Sequence, residues 1–207
     1  MNNSNIVSIF KSRQNLLDIL KERGFNIDKY TNFTINEIGV LSDTNQLDML
    51  IEDDKTKKKI YVKYYVTKLL KMQNIYDMIQ DLYYLENILT KNDDLMIIIK
   101  DEPNETLIQN VVSIWMAENI YISILNIKRL QFNILKHHLV PKHNVLNSIE
   151  EEEFRKKFNI TSNKEIPDIS YFSPICLVLG VRPTNIVKIE RKSRTAIDGV
   201  FYRICKI

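Results

Sequence analysis

The clearest chemical potential in the first half of the chain lies in Asp48 and Lys63, with Glu37 upstream. Endonuclease-like domains place an aspartate on one hairpin strand and an acid-x-Lys on the next. The two carboxylates hold a divalent cation, and the set orients the attacking water. Asp48 and Lys63 have suitable strand positions here, and Glu37 is a candidate helix acid, but Tyr61 stands where the second strand acid belongs. Without that acid the cation loses a main oxygen ligand. The residues then read either as the solvated face of a hairpin or as an inactive relative of a nuclease fold. The run Lys57-Lys58-Lys59 is also open to two readings: contacts to a phosphate backbone, or a solvated turn.

Further along, His137, His138 and His143 could meet a zinc ion, but no cysteine or acid stands near them at a ligand spacing. Cys176 lies in an apolar stretch with no base nearby in sequence, and a buried thiol there is inert. Ser193 has no nucleophile elbow around it. The sequence therefore predicts no catalytic residue, no metal, no cofactor and no small-molecule substrate.

The bulk numbers bound the rest. At 207 residues and 24.5 kDa the chain fits one large or two small domains, either able to bury a core. A net charge of +3, from 29 bases and 26 acids, is too mild to mark a nucleic-acid binder by itself. No apolar run is long enough to span a bilayer, the N-terminus lacks a signal-peptide pattern, and two distant cysteines make no disulfide framework. The expectation is an intracellular, reduced protein with no membrane partner.

The elements that must position these residues follow from periodicity. Ile6, Ile9, Phe10, Leu16, Leu17 and Leu20 predict a helix over 4–23, with Gly24 to cap its end. Thr34 and Glu37 have capping-box spacing and start a short second helix. Residues 47–51 and 60–66 are β-rich runs around a polar turn, hence a hairpin. A helix is predicted over 72–90, a strand buried on both faces over 94–100, a helix over 103–118 with Pro103 in its first turn, and a strand over 120–125. The order ββαβαβ implies an α/β domain, with helices crossing over a mixed sheet on an endonuclease-like plan.

Beyond about Phe132 the punctuation changes. Asn147 or Ser148 caps a helix that opens on four acids, Glu150 to Glu153, and closes on Arg155, Lys156 and Lys157, matching the helix dipole at both ends. Ser173-Pro174 opens a short apolar helix that Gly180 stops. Residues 186–191 and 200–204 form a strand pair. The module reads as small α+β, two helices on a small sheet, giving boundaries of 1–131 and 132–207.

This second module resembles the fifth-subunit family of eukaryotic nuclear RNA polymerases, whose C-terminal module is shared with a small archaeal polymerase protein. The resemblance rests on residues in one order: Asn133-Ile134, His137, Leu139-Val140-Pro141-Lys142-His143, Leu146, Ile166-Pro167-Asp168-Ile169, Pro174, Gly180, Arg182, Val187-Lys188-Ile189, Arg191, Ser193, Thr195-Ala196 and Tyr202-Arg203. The first part resembles the family only in plan. The departures are local. The family's Asp-Pro helix start is Ser173-Pro174, a turn glycine is Thr184, a loop acid is Arg194 and a following glycine is Ile197. Because Thr resists positive φ, the turn at Thr184 is expected to take another geometry.

The resemblance implies a non-catalytic polymerase subunit. Its C-terminal assembly module docks on the largest subunit, and its N-terminal jaw domain lies beside downstream duplex DNA. The partner-interface residues it points to are His143, Ile175, Lys188, Arg191, Ser193, Thr195, Tyr202 and Arg203, with other polymerase subunits as further partners. The DNA-proximal candidates are Lys57, Lys58, Lys59 and Pro103, through backbone-directed contacts without sequence preference. Glu102 and Glu105 flank Pro103 and would repel phosphates, so Pro103 carries over as structural. The A+T-driven composition points to a large cytoplasmic DNA virus, working in virion and host cytoplasm, or to a protist, working in its nucleus. A metal-dependent nuclease and a free DNA-binding adaptor remain the alternatives.

Overall fold

Helix α1 (Asn3–Glu22) buries one stripe that runs through Ile9, Leu16, Leu17, Ile19 and Leu20. It stops where expected. Gly24 takes φ +98°, and the amide of Phe25 donates back to the Leu20 carbonyl at 3.0 Å. The computed structural model describes residues 3–193 and 197–207. It divides into two units, residues 1–133 and 134–207.

In the first unit, helix α2 (Ile35–Asp43) opens on the expected capping box, with Thr34 and Glu37 satisfying each other's amides. Strands β1 (Met49–Glu52) and β2 (Lys59–Tyr65) pair antiparallel. Strands β3 (Asp94–Ile99) and β4 (Tyr121–Asn126) then add in parallel, giving the order β1-β2-β3-β4. Every residue of β3 and β4 is buried, as a continuous apolar run between two covered faces requires. The outer edge of β1 is blunted by one side chain: the Tyr30 hydroxyl accepts from the Leu50 amide and donates to the Leu50 carbonyl.

Two expectations are corrected here. Helix α3 (Met72–Ile79) does not run regularly to residue 90, because Gln80–Leu85 widens into a π-helical turn and Asn87 at φ 51° ends the segment. The widening allows Leu82 and Tyr83 to be buried and leaves Tyr84 and Leu85 exposed. Helix α4 (Glu105–Glu118) is capped by the Asn104 side chain, so Pro103 stands one residue before the cap and not in the first turn.

The second unit is built on a mixed four-stranded sheet in the order β5-β7-β8-β6. Strands β7 (Ile186–Arg191) and β8 (Gly199–Lys206) form the expected antiparallel pair. Strands β5 (Lys142–Val145) and β6 (Asp168–Ser170) were not expected, since both are short, polar and without alternation. Helix α5 (Ser148–Lys157) has its capping box at Asn147 and Glu150 and sets Phe154 against Tyr202, ring centroids 4.2 Å apart. Helix α6 (Pro174–Leu179) ends at Gly180, φ 69°. Both units are therefore mixed α/β. Among the described residues, no helix is long and apolar enough to cross a membrane.

The turn before β7 departs from expectation. Thr184 keeps the left-handed conformation at φ 75°, held because its amide donates to the Cys205 carbonyl at 2.9 Å. A β-branched residue there stores strain of about 2 kcal/mol. Glycine would relieve it while loosening the unfolded chain by roughly 0.7 kcal/mol. Thr184→Gly is thus expected to stabilise the second unit by about 1 kcal/mol and to raise its melting temperature by roughly 5 °C in calorimetry. A neutral or lowered melting temperature would show that the threonine is not strained.

Candidate functional site

Two clusters merit a chemical reading. In the first unit, the hairpin register brings Asp48, Lys63 and Tyr61 together beside a cleft of about 520 Å³. Asp48 Oδ2 accepts from Lys63 Nζ at 2.5 Å and from the Tyr61 hydroxyl at 3.2 Å, while Oδ1 accepts from the Tyr64 amide at 3.3 Å. The tyrosine that replaces the expected acid therefore donates to the remaining carboxylate. Burial, reinforced by the Asp48 charge, pushes the Tyr61 phenol well above its ordinary range, so it remains a donor. Glu37 does not join them. Its carboxylate accepts from the Thr34 amide and hydroxyl, and these bonds hold its pKa below the usual range. A divalent cation at Asp48 would have to displace an ammonium and two further donors. Among the described residues no group of three potential metal ligands exists.

The lysine run divides by residue. Lys57 takes φ 59° and keeps its side chain 72 % exposed, near Glu52. Lys58 Nζ is 2.8 Å from Asp94, whose side chain is 1 % exposed. The Lys59 amide donates to Asp93. These residues sit where β2 begins, whereas Pro103 follows the end of β3, which runs parallel to β2. The lysines and Pro103 thus occupy opposite ends of the sheet, roughly 20 Å apart for a six-residue strand.

In the second unit, strand alternation sorts the candidate residues. His143, Ile189, Arg191, Phe201 and Arg203 share one face of the sheet, and Lys188 and Tyr202 share the other. On the first face, Arg191 stacks over the Phe201 ring at 5.0 Å, and Arg203 donates to the Asp168 carbonyl at 2.8 Å. His143 Nδ1 lies 2.6 Å from the Pro141 carbonyl oxygen, and burial holds its pKa below the ordinary value, so the neutral ring is favoured. His137 and His138 stack on each other, and the Leu139 amide donates to His137 Nδ1.

On the second face, Lys188 pairs with Glu190 at 2.7 Å, and Tyr202 packs between Phe154 and Phe158. Helix α6 lies on the first face, where Cys205 Sγ is 4.0 Å from the carbonyl of Val181, just past the end of the helix. Its Cys176, Leu177 and Val178 are buried, while Ile175 and Leu179 are only half-buried. Ser193 is half-buried at the end of β7, and Thr195 lies outside the described residues. Residue typing missed Phe201, 42 % exposed beside Arg191. Its even spacing from Arg203 was the available signal.

Comparison with known proteins gives this surface a context. Residues 132–205 match the family described as RNA polymerase Rpb5, C-terminal domain. Over 75 residues the chain is 44% identical to DNA-directed RNA polymerase subunit Rpo5 of Archaeoglobus fulgidus, covering 36% of this chain and 97% of that protein. Over 201 residues it is 26% identical to the DNA-directed RNA polymerases IV and V subunit 5B of Arabidopsis thaliana, covering 94% of this chain and 88% of that one.

Proposed function

Since the chain belongs to the fifth-subunit family of DNA-directed RNA polymerases, we propose that it is a non-catalytic subunit docked on the largest polymerase subunit. Residues 134–207 form the assembly module, and residues 1–133 form the lower jaw beside downstream duplex DNA. The observation that carries this reading is coverage. A match of 75 residues spans nearly the whole of an archaeal subunit, about the length of the second unit, and 94% of the chain aligns with a plant subunit, a length that takes in both units. The Asp48 cluster agrees with a jaw that keeps an endonuclease-like plan without its chemistry, because its carboxylate is already committed to Lys63 and Tyr61. Contacts to DNA are backbone-directed and sequence-independent, with Lys57 the most solvent-exposed ammonium of the lysine run. The subunit works inside the cell with the rest of its polymerase, in the nucleus or, for a viral enzyme, in virion and host cytoplasm.

Affinity purification of the tagged chain from its native source tests the proposal. The largest polymerase subunits are expected at one copy per copy of the chain. Their absence, with DNA alone retained, would make the chain a free adaptor. Cleavage of duplex DNA by the purified chain with magnesium or manganese, lost in Asp48→Ala, would instead make it a nuclease.

A further inference from the structure

The parallel strands β2, β3 and β4 finish in register, with Tyr65 paired to Ile99 and Ile99 to Asn126. Val66, Lys100 and Ile127 therefore form the next row, just outside the carboxyl ends of the strands, where open α/β sheets hold their ligands. A cavity of about 160 Å³ lies along this row, lined from the side by Ser8 and Ile9 of α1. One side chain braces its wall. Gln131 Nε2 donates to the carbonyls of Ser8 and Ile127, both at 3.0 Å, which ties α1 to the turn after β4. The Asn126 side chain fixes that turn by accepting from the Lys128 amide at 2.7 Å. Ile9 and Ile127 are buried, so the cavity has an apolar side that is already built. Lys100 and Lys128 are exposed and line the same cavity. Among the described residues neither ammonium has a carboxylate partner, and Glu102, an acid close to Lys100 in the chain, is held by Arg129.

We propose that this cavity is a binding site for a small organic anion, a carboxylate carried on an aromatic or branched apolar body. The body lies against Ile9, Val66 and Ile127, and the carboxylate accepts from the two ammonium groups, with the Ser8 hydroxyl as a further donor. Neither half suffices alone. Exposed lysines hold a bare anion poorly, because water competes for both charges. A neutral ring fills the hollow and leaves those cations unused. The volume is about that of an apolar cavity that takes one benzene ring. Ligands of drug size need at least about 300 Å³, so the occupant is a single-ring or similarly small molecule. The site lies wholly in the first unit and holds whether or not the chain assembles with a polymerase. When filled, it reduces the positive charge at the end of the sheet where Pro103 stands.

The test is an NMR titration of the full isotope-labelled chain with benzoate at constant ionic strength. Benzoate is expected to saturate with a Kd of about 1 mM or below and to move the amide signals of Ser8, Val66, Lys100, Ile127 and Lys128. Benzyl alcohol has the ring without the charge, and inorganic phosphate has the charge without the ring. Each should bind about tenfold more weakly or worse. The double variant Lys100→Gln, Lys128→Gln should weaken benzoate by about tenfold or more and melt within a few degrees of the parent. Ser8→Phe fills the cavity from α1 and should abolish saturation. If it disturbs the helix, the lysine variant, at two exposed positions, decides the matter. Shifts that never saturate, undiminished binding by the folded lysine variant, or phosphate or benzyl alcohol binding as tightly as benzoate would each overturn the proposal.

Discussion

Asp94→Asn is expected to destabilise the first unit by about 3 kcal/mol, since removing one partner of a buried ion pair leaves uncompensated charge behind. The carboxylate is 1 % exposed at the first residue of β3, with Arg23 Nη2 at 3.1 Å and Lys58 Nζ at 2.8 Å. It joins the end of α1, the hairpin turn and the start of the parallel sheet. An amide in its place leaves two cations facing a weak acceptor, and Arg23, 10 % exposed in its side chain and stacked on Phe25, cannot swing into water. Lys58, 28 % exposed, can, so Lys58→Met should cost less than about 1 kcal/mol. Trp115, the sole tryptophan, lies on α4 and reports this unit selectively in denaturant unfolding. A loss under about 1 kcal/mol for Asp94→Asn would mean that the network contributes packing and little charge pairing.

What could be read in advance was local chemistry. The capping box at Thr34, a cap at Asn147 or Ser148, the stop at Gly24 and the buried run of β3 each depend on residues within one turn or one strand, so side-chain type and spacing suffice. Strands β5 and β6 depend on partners far along the chain. Lys142-His143-Asn144-Val145 becomes a strand because β7 offers it an edge, not because its residues favour one. The Thr184 turn is a tertiary override: the Cys205 carbonyl holds an amide in place, and a β-branched residue accepts a conformation it disfavours.

The site follows the same division. Lys188 and Arg191 differ by an odd number of residues within one strand, so their separation onto opposite faces was legible from parity alone. The separation of Lys57 from Pro103 was also legible, because parallel strands begin at one end and finish at the other. The approach of Cys205 to the Val181 carbonyl was not legible, for it arises only when β8 returns beside the end of α6.

The ordering of docking contributions leads to the other large effect. Arg191 is already stacked on Phe201 and Arg203 already donates to Asp168, so a partner must share those cations with existing neighbours. Ile175 and Leu179 have no such commitment. They stand at i and i+4 on α6, half-buried, while the residues between them fill the core. Apolar side chains in that position release water when covered, and fully burying an Ile or Leu side chain contributes about 1.5–3 kcal/mol. The double variant Ile175→Glu, Leu179→Lys keeps the helix favourable, with an acid at its positive end and a base at its negative end. It is expected to leave the melting temperature of the second unit within a few degrees and to reduce capture of the largest polymerase subunit about 100-fold, or roughly 3 kcal/mol. Arg191→Glu should reduce capture less than about tenfold, acting chiefly on its salt dependence. Leu177→Asp, at a residue 6 % exposed, should instead unfold the unit, which separates loss of a surface from loss of a fold. Undiminished capture by a folded double variant would remove α6 from the interface and move docking to the opposite face, around Lys188 and Tyr202.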